Sequence, residues 1–365
     1  MRGTSGKISI VLGTRPEIIK FIPIIRECER LNLNYHILHT GQHYSYDMDR
    51  IFFEQLGLPD AKFSLDVGSG SHAEQTGKML IGIEKILQKE EPDIVLVEGD
   101  TNSVLAGTLA AVKLGIKVGH VEAGLRSFDR RMPEETNRIV ADHCSDVLFA
   151  PTEKAKGLLR KEGISGDKVY MTGNTIVDVV FQNLKIAKRR NTVFEELGIK
   201  KGDYFLATVH RQENVDDKKR FRGIVKGLEN VQKKFRHPVV YPIHPRARKQ
   251  LETFAIETKS IKLVDPLDYL SFLQLESNAR LILTDSGGVQ EEACILGIPC
   301  VTLRDSTERP ETLEVGSNAL AGADSCRIAE RTGFMMRRNN SWKNPFGDGK
   351  TGQRIIKILT EKLAS

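Results

Sequence analysis

The sequence predicts an α/β fold built as two units, each a mostly parallel sheet with helices on both faces. Three observations predict it. Short β-branched runs alternate with helical stretches from end to end, this order restarts about halfway along, and the unusual polar clusters fall just after strands. The length of 365 residues agrees, because it exceeds one ordinary core and suits two domains of roughly 150 to 200 residues.

In the first unit the strand candidates are residues 8–12 (ISIVL), 35–39 (YHILH), 93–98 (DIVLVE), 117–122 (KVGHVE), 146–150 (DVLFA) and 168–171 (KVYM). Amphipathic segments such as 71–90 (SHAEQTGKMLIGIEKILQKE) separate them. After residue 12, Gly13 makes a turn and Pro16 starts a helix with its fixed φ. Strand alternation lapses and charge rises between residues 175 and 190, so the units are expected at 1–175 and 176–348. The second unit then runs through strands at 204–209, 238–243, 261–264, 279–284 and 298–303. The last residues, 349–365, read as a helix whose place the pattern alone leaves open.

Composition narrows the function classes. Hydrophobic residues are 40% and charged residues 28%, the balance of a folded globular chain. No segment approaches the ~20 apolar residues of a membrane span, and no secretory signal pattern precedes the first strand, so a cytoplasmic location is expected. Five cysteines without a CxxC pair suggest reduced, packing side chains rather than disulfides or a zinc site. The formal charge of +6 is mild. Basic clusters at 187–190 and 233–236 carry between them a single aromatic residue, Phe235, so they read as solvated faces and not as a nucleic-acid platform. A modest positive excess suits an anionic small substrate.

The polar clusters are "GTRPE" (13–17), "TGQH" (40–43), "EGDTNS" (98–103) and "EAGLRS" (122–127) in the first unit, and "HRQEN" (210–214), "HPR" (244–246), "DSGG" (285–288) and "RDSTERPE" (304–311) in the second. Ligands of parallel α/β sheets bind at the carboxyl ends of strands, so the two units are expected to face one another across a cleft lined by these loops. Ser286, Gly287 and Gly288 form a strand-to-helix turn whose free N–H groups suit a phosphate, with Glu292 one turn later suited to a ribose diol. A simple helix cap would by itself explain Asp285 or Ser286. His210 and Arg211 suit a diphosphate, although a strand-end histidine is often only a satisfied structural group. Arg304 and Arg309 could bind a ligand or join a surface ion-pair network.

Asp100, Glu122 and Glu134 come from three strand-end loops and suit proton removal and delivery. Glu134 and Glu135 follow Pro133, where acidic residues also cap a helix, and Arg138 one turn on could be a plain helix-surface partner. The motifs GxGxxG, GxxxxGK[ST], HExxH and GxSxG are absent, which removes the usual signatures of nicotinamide chemistry, NTP hydrolysis, zinc proteolysis and α/β-hydrolase catalysis.

Nine motifs in order, "GTRPEIIK", "TGQH", "GDTNS", "HVEAGLRS", "PEETNR", "TVHRQEN", "DSGGVQEE", "RDSTERPE" and "NPFGDGKTGQRI", resemble the non-hydrolysing UDP-N-acetylglucosamine 2-epimerases over essentially the whole chain. The resemblance implies a GT-B-type fold of two Rossmann-like domains, with the C-terminal helix crossing back to the first. It implies interconversion of UDP-GlcNAc and UDP-ManNAc without NAD, a metal or any other cofactor and without net hydrolysis, through loss of UDP to a 2-acetamidoglucal, for surface polysaccharide or glycan precursor synthesis, in a homodimer. By motif, Asp100, Glu122 and Glu134, with His210, are the catalytic candidates. Arg15, Lys20, Arg138, His210, Ser286, Gly287, Gly288, Glu292 and Arg309 would hold the substrate and its UDP. Gln42 and His43 resemble part of an allosteric UDP-GlcNAc site, although "DVGSGSHAEQ" lacks the Arg-Gln pair associated with it. The competing expectations are a hydrolysing 2-epimerase releasing ManNAc and UDP, a glycosyltransferase of the same fold, and a catalytically silent nucleotide-sugar sensor.

Overall fold

The computed structural model describes residues 6–42, 46–164, 166–188 and 192–364. His43, and Arg189 and Arg190 of the basic cluster at 187–190, lie outside them. The chain divides into two compact units, Met1–Val179 with Phe346–Ser365 and Val180–Pro345.

The first unit carries seven strands: β1 (Ile8–Leu12), β2 (Tyr35–His39), β3 (Phe63–Ser64), β4 (Ile94–Glu98), β5 (Lys117–Val121), β6 (Val147–Ala150) and β7 (Val169–Met171). All pair in parallel, in the order β3-β2-β1-β4-β5-β6-β7. β1 and β4 are buried at every position, as strands covered by helices on both faces must be. The order reverses direction between β1 and β4. That switch point opens a crevice beyond their carboxyl ends, where "GTRPE" and "EGDTNS" lie.

Gly13 follows β1 where a side chain has no room, since a Cβ there would stand 1.8 Å from Thr40 Oγ1 and 2.4 Å from Ser103 Oγ. The helix Arg15–Arg30 begins at once, with Pro16 and Glu17 in its first turn and Ile18, Phe21, Ile22 and Ile25 buried. The helix Asn102–Lys113 buries Ala106, Gly107, Ala110 and Ala111, and a Cβ on Gly107 would already press on Val11 and Val97 at 3.2 Å. The open place of the last segment is filled by the helix Thr351–Ala364, which packs against Arg15–Arg30. Asp178 caps it by accepting the N–H groups of Thr351 (3.1 Å) and Gly352 (3.0 Å).

The second unit has six parallel strands: β8 (Phe205–Thr208), β9 (Val239–Pro242), β10 (Lys262–Val264), β11 (Leu281–Thr284), β12 (Cys300–Thr302) and β13 (Asn318–Leu320). Their order is β10-β9-β8-β11-β12-β13, so the switch point lies between β8 and β11, the strands that end in "HRQEN" and "DSGG". Phe205, Phe221, Leu228, Tyr241 and Ile328 center its core. The two strands that pattern did not mark, β3 and β13, are two and three residues long and lie at the outer edges, too short to show alternation. Among the described residues no helix is long and apolar enough to cross a membrane.

Candidate functional site

In the first unit the switch point is knitted by Glu17, a buried carboxylate. Its Oε2 accepts the Gly13 N–H at 2.8 Å and the Thr14 hydroxyl at 2.9 Å, while Oε1 accepts the Thr101 hydroxyl at 2.6 Å. The loops after β1 and β4 are therefore fixed to one another. Gln42 adds the third loop, its amide oxygen accepting the N–H (3.1 Å) and hydroxyl (2.9 Å) of Ser103.

On this base stand two cation–carboxylate groups. Lys20 contacts Glu122 and lies 3.2 Å from Glu98 Oε1, and all three side chains are largely buried. Burial holds the Glu98 carboxyl well above the usual carboxylate range; Lys20 opposes the shift and Glu122 adds to it. Arg138 pairs with Asp100, and its other arm donates to Glu135 Oε2 at 2.8 Å. Glu135 also accepts the N–H of Ser127 (2.9 Å), so the second acid of "PEETNR" fastens the "GLRS" loop. Glu134, half-buried, lines a cavity of about 340 Å³ with Asp100, Gln42, His72, Asn102 and Asn137.

Glu122 itself has φ of 67°, the left-handed region that side-chain-bearing residues rarely occupy. Such strain costs about 1–3 kcal/mol and persists where the surroundings enforce it. Here the Ala123 N–H donates to the Phe149 carbonyl at 3.1 Å and the Gly99 N–H to the Val121 carbonyl at 3.2 Å, clamping the turn from both sides. Below it His120 donates to Asp142 Oδ1 at 2.7 Å and to the Gly99 carbonyl at 2.8 Å, which requires both ring nitrogens protonated. Burial opposes that charge, but Asp142 and the Gly99 carbonyl outweigh it and raise the imidazole's pKa. Arg126 closes the network on Asp142 (2.7 Å) and Glu162 (2.6 Å). Arg15, near the rim, is held by Asp49, 3.0 Å from its Nε, and Asp49 also lies 3.2 Å from His39.

In the second unit Asp285 ties the two switch-point loops together. Its carboxylate, fully buried, accepts the N–H groups of His210 (3.1 Å) and Arg211 (3.0 Å) and the Asn214 amide (3.0 Å). Asp285 is thus a loop fastener rather than a helix cap. The Ser286 hydroxyl does not cap the helix Gly287–Leu296 either, although Ser286 occupies the cap position. His210 is lowered in pKa by burial and by Arg211 and His244, with Asp285 opposing, so its imidazole tends to neutral. His210, Ser286 and His244 line a cavity of about 380 Å³ whose apolar wall includes Leu267 and Phe272.

Glu292 accepts the Tyr269 hydroxyl at 3.1 Å. Glu276 stands beside it, raised well above the carboxylate range by burial and by the Glu292 charge. In "RDSTERPE" the mixed charges do form an ion-pair network, but a largely buried one. Arg304 donates to Glu213 (2.7 Å) and Glu308 (2.6 Å), Arg211 to Glu308 (3.1 Å), and Arg309 lies 2.9 Å from Glu291.

The residues singled out from sequence thus form two groups, Arg15, Lys20, Asp100, Glu122, Glu134 and Arg138 in the first unit and His210, Ser286, Gly287, Gly288, Glu292 and Arg309 in the second. Sequence reasoning did not single out Glu98, Glu276 or the His120–Asp142 pair. Glu98 gave one signal, a carboxylate ending an otherwise apolar strand. The other two sit within motifs or helices that mask them.

A family model described as UDP-N-acetylglucosamine 2-epimerase matches residues 26–360. The UDP-N-acetylglucosamine 2-epimerase of Methanocaldococcus jannaschii is 56% identical over 97% of this chain and 99% of its own. Its crystal structure in complex with UDP-GlcNAc and UDP superposes with a TM-score of 0.90, again over 97% and 99% of the two chains. The UDP-2,3-diacetamido-2,3-dideoxy-D-glucuronate 2-epimerase of Pseudomonas aeruginosa is 42% identical over 97% of this chain and 99% of its own. The fold is of the GT-B type, and on these matches the chain belongs to the UDP-N-acetylglucosamine 2-epimerase family.

Proposed function

We propose that this protein interconverts UDP-GlcNAc and UDP-ManNAc without hydrolysis. The observation that carries the reading is Glu122, a buried carboxylate held at a strained φ of 67° against Lys20, in a chain 56% identical to an enzyme of that name. Strain of this kind clusters where a side chain must be aimed at chemistry.

In this reading the C1–O bond breaks with its electron pair leaving on the β-phosphate oxygen of UDP. The C2 proton passes to a carboxylate, and C1 and C2 become doubly bonded in a 2-acetamidoglucal. UDP then re-adds at C1 while a proton is returned to the other face of C2. Asp100, Glu122 and Glu134 handle these protons, with Arg138 orienting Asp100. Arg15, Lys20, His210, Arg309 and the turn Ser286–Gly287–Gly288 hold the diphosphate, Glu292 takes the ribose, and the apolar wall of Leu267 and Phe272 suits the uracil. In this reading His210, neutral and at the turn, also assists departure of the β-phosphate.

The protein acts, on this reading, as a cytosolic homodimer supplying surface polysaccharide or glycan precursors; sedimentation tests the dimer. Gln42 lines the cavity beside Asp100 and Glu134 that would hold an activating second UDP-GlcNAc, and a sigmoidal dependence of rate on substrate tests that role. Phosphorus and proton NMR of the products from UDP-GlcNAc test the reaction. A mixture of two nucleotide sugars is expected, whereas accumulation of free ManNAc and UDP would make the enzyme hydrolysing. The 42% identity to the diacetamido-glucuronate enzyme favors one second reading, and the same assay with that substrate decides which sugar turns over faster.

A further inference from the structure

We propose that Glu98 is a positioning residue for C2 proton transfer, pairing with Glu122 across the Lys20 ammonium so that the two buried carboxylates hold one proton between them. This rests on the reading in which Glu122 handles the C2 proton.

The placement follows from the sheet. The parallel register of β4 and β5 sets Glu98 level with Val121, so the last residue of one strand stands beside the turn that carries Glu122. Gly99, at φ of 81°, then redirects the chain so that acids two residues apart meet different cations: Glu98 takes Lys20 and Asp100 takes Arg138. Lys20 reaches Glu98 and Glu122 at once, and their side chains are only 2% and 4% exposed.

Lys20 supplies one positive charge against two carboxylates, and Glu17, on the same helix as Lys20, adds a third carboxylate nearby. From β5, His120 faces Glu122, but its positive charge is taken up by Asp142. Two carboxylates that meet in so buried a place relieve their repulsion by keeping a proton, and two coupled acids then titrate as a pair. Burial and Glu122 push the Glu98 carboxyl upward in agreement with this.

Epimerization needs such a store. The group that returns a proton to C2 must already carry one when the opposite face is deprotonated. After the transfer the pair is one proton short and the opposite carboxylate one proton richer, a difference that exchange with water restores once product leaves. In the reverse reaction the pair takes the proton instead.

The test is Glu98→Gln, an isostere that cannot titrate. It removes the carboxylate charge beside Glu122 and keeps Lys20, so the limb of the pH–kcat profile that reports Glu122 is expected to move to lower pH by about one unit or more, with KM for UDP-GlcNAc unchanged. Glu98→Asp, which still titrates, is expected to return the limb toward its wild-type position. In D2O the infrared difference between wild type and Glu98→Gln at neutral pH is expected to contain a protonated-carboxyl band. A pH profile superimposable on wild type, with or without a fall in kcat, makes Glu98 merely structural and overturns the proposal. Should Glu98→Gln not fold, the infrared difference between wild type and Glu122→Gln decides, because it cancels raised carboxyls elsewhere, Glu276 among them: a protonated-carboxyl band present in the wild type and lost in Glu122→Gln supports the pair, and no such band overturns it. Wild-type enzyme that fails to exchange C2 hydrogen would remove the epimerase reading instead, a result the infrared spectrum of the resting protein does not depend on.

Discussion

The carboxylate of Asp285 accepts the backbone N–H of His210 at 3.1 Å and lies 3.4 Å from its imidazole Nδ1, joining the ends of two neighboring strands at the switch point of the second sheet. Since the same carboxylate also holds Arg211 and Asn214, Asp285→Ala strands three donors beside a fully buried site. A loss of about 2–4 kcal/mol in stability is expected, together with a raised KM, because the loop that carries His210 comes adrift. Denaturant unfolding and steady-state rates check both; an unchanged unfolding midpoint would deny Asp285 its fastening role.

Ser286 separates capping from ligand binding. Its hydroxyl does not cap the helix that follows, so Ser286→Ala is expected to change stability by no more than about 0.5 kcal/mol. A hydrogen bond to a charged phosphate contributes about 1.5–3 kcal/mol, so UDP affinity measured by calorimetry is expected to weaken roughly tenfold or more. Equal UDP affinity in the variant would take Ser286 out of the diphosphate site.

Asp100→Asn and Glu122→Gln are expected to fold normally and lose C2 epimerization by about 100-fold or more, the usual scale for a proton-transfer group. Circular dichroism establishes the fold and NMR of the products the activity. Near-wild-type turnover in either variant would remove that residue from the catalytic assignment.

Glu308 predicts a pH dependence. Burial would raise its pKa, but Arg309, Arg304 and Arg211 outweigh burial and hold the carboxyl at about 2. A pKa depressed below the unfolded value of 4.5 means that the unfolded chain binds the proton more readily. The contribution, on the order of 3 kcal/mol, is therefore complete above the unfolded pKa and declines as pH falls through about 2. The stability gap between wild type and Glu308→Gln is expected to narrow as pH is lowered below 4.5; a gap independent of pH would show that the arginines do not set it.

Much of this was legible in the sequence because parallel strands are buried on both faces and so read as apolar runs ending abruptly in polar clusters. β1, β4, β8 and β11 are of that kind, and they carry the loops of both switch points. β3 and β13 were not legible, since two or three residues at a sheet edge show no periodicity. Motif position marked Lys20 as a cation at a site, but only the fold reveals that it stands on Glu98 and Glu122. Arg138 is similar: helical spacing offered Glu134, while the folded chain brings Asp100 and Glu135 to it. That the Ser286 hydroxyl leaves its helix uncapped is a side-chain direction that no spacing encodes.

The central claim is that this chain inverts C2 of a UDP-sugar by exchanging its proton, and proton NMR of UDP-GlcNAc incubated with the enzyme in D2O tests it most directly. The expected result is deuterium at C2 in both UDP-GlcNAc and newly formed UDP-ManNAc, with no free sugar. UDP-GlcNAc that keeps its C2 proton through prolonged incubation, with no second nucleotide sugar formed, would contradict the account.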